Sequence, residues 1–137
     1  MSVREYSAGD VNVLVDGVPI QGGAEDTFVT IEYDEQDWEK STGARGNVSR
    51  SRNLADGGTI TITVKQTDVD DIAHMESIGS LDRATGMHKP AIKITDLRNG
   101  EITMARESWL QGRPERSYAA EEGEREFVFD CARIREL

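Results

Sequence analysis

The clearest pattern in the chain lies at residues 59–66, where Ile60, Ile62 and Val64 interleave with Thr59, Thr61, Thr63 and Lys65. Side chains on a pleated strand alternate between two faces, so this segment predicts a strand with one buried and one wetted side. The pattern recurs elsewhere. Val11, Val13 and Val15 alternate up to Asp16-Gly17, and in residues 27–34 Val29, Ile31 and Tyr33 share a face opposite Thr30, Glu32 and Asp34. Ile92 and Ile94 alternate with Lys93 and Thr95, residues 101–111 read as a further strand, and in residues 126–132 Phe127, Phe129 and Cys131 oppose Glu126, Val128 and Asp130.

Turn chemistry joins these strands. Asp16-Gly17 between β-branched residues is a two-residue hairpin signal, because both residues tolerate positive φ, and Asn99-Gly100 signals a second hairpin. Pro19 has no N–H to give a ladder, which puts the second arm of the first hairpin at a sheet edge. Residues 1–10 read as a loose start, and Gln21-Gly22-Gly23 interrupts the pattern.

Period two gives way to a helical period after residue 66. Thr67 or Asp68 is placed to cap the free amides of a first turn, and Asp70 and Asp71 suit the positive end of its dipole. Val69, Ile72, Ala73 and Met75 form a narrow apolar stripe, and Gly79 is expected to end a short helix. Residues 80–90 then read as a connection, and residues 112–123 as a loop with a short edge strand near Ser117-Tyr118. The sum is a mainly β chain, an antiparallel sandwich or barrel of about eight strands with one short α-helix.

Residues 35–58 are polar and rich in Gly, Ser and Asn, with Trp38 and Val48 as the main bulky apolar residues. A loop of that length in a small domain is functional, disordered or itself a protruding hairpin. The hairpin reading sets arms near 38–42 and 48–52, on a projection at about 34–58. The 137 residues otherwise fit a single domain, 1–137.

Charge narrows the function classes. Sixteen Lys and Arg against 26 Asp and Glu give a net charge of -10, so stable attraction to nucleic acid or an anionic membrane is not expected. No run approaches the roughly 20 apolar residues that span a bilayer, and the start has no signal-peptide core, which points to a soluble protein made in a cytoplasm. Lone Cys131 excludes an internal disulfide and reads as a small buried residue late in a strand.

Catalytic and metal motifs are missing. Asp68, Asp70 and Asp71 suggest a calcium loop, but its sixth and twelfth positions hold Ala73 and Gly79, so capping accounts for them better. His74 and His88 stand in no metal spacing, and neither GxSxG nor GxxxxGK[ST] occurs. No cofactor is expected. Lys40, Arg45, Arg50 and Arg52 form the one local reversal of charge. They read either as a solvated loop balancing Asp34, Glu35 and Asp37, or as an arm whose guanidiniums pair with carboxylates of a neighbouring subunit.

The blocks VNVLVDGVPI, then G-x-x-G-x-V-S-R-S with G-T-I-T-I-T-V-K-Q-T after a gap, and EGEREFVFD occur in an order that resembles the tail tube proteins of tailed bacteriophages, of the myovirus type. Departures lie in residues 80–90 and 113–122. The resemblance implies a barrel or sandwich with one helix, related to tube proteins of type VI secretion, in which six copies close a ring and rings stack into a hollow conduit for the genome. It implies a virion tail location after assembly in the host cytoplasm, with tail sheath, baseplate and tape-measure proteins as partners, transient passage of DNA, and no membrane. The acids on wet strand faces, Glu32, Asp34, Glu126 and Asp130, are then the expected channel lining, and Lys40, Arg45, Arg50 and Arg52 the expected inter-ring or inter-subunit contacts. Two alternatives differ in class or machine: a carbohydrate-binding or hydrolytic β-sandwich using Trp38 and Trp109 as platforms, and a tube or effector chaperone of a type VI secretion or related contractile injection system.

Overall fold

The computed structural model describes residues 11–20 and 28–137. The expected loose start, the Gln21 to Gly23 break and the first residues of the 27–34 strand therefore lie outside the described residues.

Eleven strands and one helix are described, all strand pairs being antiparallel. A five-stranded sheet has the order β11 (Ile134–Glu136), β8 (Glu101–Ala105), β7 (Ile92–Asp96), β1 (Val11–Val15) and β2 (Val18–Pro19). A four-stranded sheet has the order β3 (Val29–Tyr33), β6 (Gly58–Lys65), β10 (Glu124–Cys131) and β9 (Ser108–Leu110). Among the described residues, β4 (Trp38–Thr42) and β5 (Val48–Arg52) pair only with each other.

One core joins the two larger sheets and the helix. The first sheet contributes Val13, Val15, Ile92, Ile94, Ala105 and Ile134, and the second contributes Ile60, Ile62, Val64, Phe127, Phe129 and Cys131. The alternation read from the sequence is the cause, since each of these residues occupies the inward position of its strand. Val64, Ile60, Phe127 and Phe129 are all but inaccessible. No barrel closes among the described residues. Where β3 and β11, edges of different sheets, come together, Tyr33 donates its hydroxyl to a Glu136 carboxylate oxygen.

The Asp16-Gly17 turn has the expected positive φ at both residues, 54° and 79°, and β2 with Pro19 sits at a sheet edge. The second hairpin is looser than a two-residue turn. Its strands are joined by residues 97–100, with Gly100 at φ 72°, and the Asp96 carboxylate accepts bonds from the amides of Arg98 and Asn99.

Several expectations are corrected. The helix α1 spans Val69–Thr85, 17 residues, and ends at left-handed Gly86, whose N–H bonds Asp82 O. Gly79 lies buried in its middle because the helix passes close to β9: a Cβ there would stand 3.1 Å from Leu110 Cδ1. Asp68 occupies the N-cap without a side-chain capping bond, and Val69 and Ala73 are exposed, while Ile72, Met75 and Ile78 face the core. The strand expected at residues 101–111 is two strands in different sheets. Exposed Arg106 and Glu107 make the crossing, and buried Ser108 anchors it by donating from Oγ and N–H to Pro90 O. No strand forms at Ser117-Tyr118.

Residues 112–123 instead form a strap. Gln66 Nε2 donates to Ser117 O, Gly123 N–H donates to Gln66 Oε1, and Glu76 on the helix pairs with Arg116 at 3.1 Å and Arg125 at 3.0 Å. Among the described residues, no helix is long and apolar enough to cross a membrane.

Candidate functional site

The outward face of the four-stranded sheet is set by register. One row across it reads Glu32, Thr59, Asp130 and Trp109; the next reads Thr30, Thr61 and Val128; then come Thr63 with Glu126, and Lys65 with Glu124. Three of the four acids expected on wet faces thus share one surface, although they come from strands almost 100 positions apart. Asp34 follows in the same parity just beyond β3, where its N–H bonds Gly57 O. Asp130 is steadied by Gln111, whose Nε2 donates at 2.7 Å to Oδ1.

Sequence reading missed Glu124, which belongs to the same face. The alternation was followed only from residue 126, yet β10 begins two residues earlier. The face is therefore acid and hydroxyl in character, with Lys65 opposite Glu124 as its register cation.

The outward face of the five-stranded sheet has the opposite chemistry. Leu14, Lys93, Met104 and Arg135 form one register row. Beside them Arg106, Arg133 and Leu137 join Met104 and Arg135 around a concavity of about 440 Å³, whose three arginines outnumber its one carboxylate, Glu107.

The hairpin arms fall where the sequence puts them, Trp38–Thr42 and Val48–Arg52, and every residue of both arms is exposed. Register pairs Trp38 with Arg52, Lys40 with Arg50 and Thr42 with Val48, while Glu39, Ser41, Ser49 and Ser51 alternate with them. Because pleating sorts residues by parity, three of the four expected contact cations land on one face together with Trp38. Arg50 lies 3.8 Å over the Trp38 ring. Arg45 sits in the tip, where Gly46 at φ 83° turns the chain and Gly43 N–H bonds Asn47 O.

The remaining titratable groups have structural settings. Cys131 is buried, and burial pushes its thiol up to about 11. Partial burial, then the bond to Glu136, raises the Tyr33 phenol to about 12. His74 Nε2 is 2.8 Å from Val15 O, and His88 Nε2 is 3.2 Å from an Asp16 carboxylate oxygen, so both histidines pack against the first hairpin turn. Among the described residues, no group of three or more His, Cys, Asp or Glu is arranged to hold a metal ion.

The fold has counterparts among solved structures. It is similar to the tube-terminating cap of the anti-feeding prophage, with TM-score 0.64 and 10% identity over 100% of this chain and 94% of that one. It is equally similar to the PVC sheath/tube terminator of an extracellular contractile injection system, at TM-score 0.64 and 11% identity over 100% and 99% of the two chains. A chain of the PVC sheath-tube complex gives TM-score 0.61 and 15% identity over 97% and 91%. At these identities the likeness is one of fold alone. No curated protein matches the chain. The family model of the bacteriophage PhiTE tail tube protein matches residues 3–137, and the chain belongs to that family. Its role is accordingly structural and of the tail-tube type, not enzymatic.

Proposed function

We propose that the chain, as a single domain over 1–137 with a projecting hairpin, closes into hexameric rings that stack into a phage tail tube for genome delivery. The observation that supports this best is the shared acidic face of the four-stranded sheet. With that face toward the lumen, Glu32, Asp34, Glu126 and Asp130 line a channel that repels a passing polyanion, whereas the arginine-bearing face of the other sheet would retain it. Among the described residues β3 and β9 are the edge strands of this sheet, and lateral pairing with neighbouring copies would leave no edge exposed. The tube stands within a sheath, joins a baseplate and encloses a tape-measure protein in the assembled virion tail, after assembly from subunits in the host cytoplasm.

The hairpin carries the contact between rings through Lys40, Arg45, Arg50 and Arg52. A two-stranded hairpin without other packing is marginal in water, so its exposed arms suit a surface completed by another subunit. Electron microscopy of the purified protein at high concentration tests the whole reading. Rings and tubes are expected, and a stable monomer by native mass with no rings overturns it. Reversing Arg45, Arg50 and Arg52 to Glu should leave rings or monomers, and replacing Glu32 and Asp130 by Arg should leave tubes intact but slow DNA delivery. Unchanged infectivity of the second variant removes the channel assignment.

A second reading, a tube of a contractile injection or type VI secretion system, draws on the likeness of fold to injection-system subunits. Genes beside this one separate the two. A sugar-binding sandwich has one of its two platforms obstructed, because Arg50 covers one face of Trp38.

A further inference from the structure

We infer that the cationic face of the hairpin is received by a carboxylate cleft at the hairpin root of a second copy, a head-to-tail contact that rests on the inter-ring reading above. The cleft has a volume of about 300 Å³, and Glu35, Asp37, Asp56 and Glu136 surround Tyr33 and Ile134 in it. Among the described residues no Lys or Arg lines it. Tyr33 serves Glu136, and the Asn53 side chain serves Glu35, while Asp37 and Asp56 line the cleft with no cation paired to them among the described residues.

The donor face is equally incomplete. Lys40 and Arg50 stand directly opposite each other across the hairpin, an arrangement of like charges that weakens an isolated pair of strands. Neither they nor Arg45 and Arg52 form an ion pair with another described residue. Strands of five residues carry the tip roughly 17 Å from the root, so the arm extends away from its own cleft. The three cations of the hairpin face, with Arg45 at the tip, are opposite in sign to the carboxylates that line the cleft. A contact between unlike patches repeats from copy to copy instead of closing on itself as a twofold pair does, which is the geometry that stacking requires. Trp38 under Arg50 supplies the rigid apolar anchor typical of an interface centre.

A charge exchange tests this. Three variants of the full chain are compared with the parent by sedimentation and electron microscopy: Lys40→Glu with Arg50→Glu, Asp37→Lys with Asp56→Lys, and all four together. Each pair is expected to reduce sedimenting tubes by at least about tenfold, and the fourfold exchange to restore most of them. Melting curves identify any variant that misfolds; in that case the milder Arg50→Gln and Asp56→Asn are used, each with an expected loss of roughly threefold. If the hairpin pair still forms tubes, the inter-ring reading falls and this inference with it. If the hairpin pair blocks assembly while the cleft pair does not, or the folded fourfold exchange stays unassembled, the acceptor is elsewhere and only this inference is overturned. It is also overturned if the hairpin pair forms tubes normally but loses a duplex-DNA gel shift shown by the parent, which would make nucleic acid the partner.

Discussion

β10 and β4 are both strands with alternating sequences, yet they live in different energetic worlds. In β10, Phe127, Phe129 and Cys131 are buried between two sheets; β6 pairs with its whole length on one edge and β9 with residues 129–131 on the other. In β4 no residue is buried, one edge is unpaired among the described residues, and its alternation separates Trp38 and Lys40 from Glu39 and Ser41. The body derives its stability from apolar area withdrawn from water, while the arm has almost none to withdraw. The same alternation thus sorts apolar from polar residues in the body and cations from hydroxyls in the arm.

The largest expected effect lies in the body. Phe129→Ala removes a fully buried ring and should cost about 3–5 kcal/mol, seen as a fall in melting temperature or denaturant midpoint. A midpoint close to the parent would mean that β10 is not central. Gly58→Ala comes next. An added Cβ would fall 2.2 Å from Glu32 O and 2.7 Å from Ile134 Cδ1, forcing β3 and β11 outward, at a cost of about 1–3 kcal/mol. Full stability in that variant would contradict the β3–β6 register.

Proton linkage gives a smaller effect with a definite sign. Burial raises the Cys131 thiol from 9.0 to about 11, so the folded chain holds its proton more tightly than the unfolded chain. The associated stability is complete below pH 9 and declines as pH rises toward about 11. Tyr33 adds a similar decline from 10.0 toward about 12. Urea titrations from pH 8 to 11 should show a shallower decline in Cys131→Val, and a thiol reagent at pH 8 should label the parent only after unfolding. An equal slope in both proteins rules the linkage out. Trp38→Ala marks the other end of the scale. Its ring is outside the core, so global unfolding should move by no more than about 0.5 kcal/mol, while tube yield falls. A large loss of monomer stability would show that the arm packs on the body after all.

Strand parity was legible without coordinates because it is local: the inward faces of 59–66 and 126–132, the arms at 38–42 and 48–52 and the Asp16-Gly17 turn all follow from neighbours in sequence. Even the acids Glu32, Glu126 and Asp130 were recognisable as wet-face residues. Their gathering on one surface was not, since register between β3, β6 and β10 depends on pairings across almost 100 residues. Gly79 misled for a related reason. Glycine weakens a helix in isolation, but here the close pass of α1 by β9 makes absence of a side chain the requirement.

The sequence by itself determined which residues of each strand turn inward, where the chain reverses and that a basic hairpin leaves an acidic body, because these rest on backbone sterics and side-chain alternation. Tertiary structure decided that residues 101–111 split between two sheets, that the helix continues to Thr85 and that the two sheets present outer faces of opposite chemistry. Those outcomes depend on packing between segments distant in the chain, which no local pattern specifies.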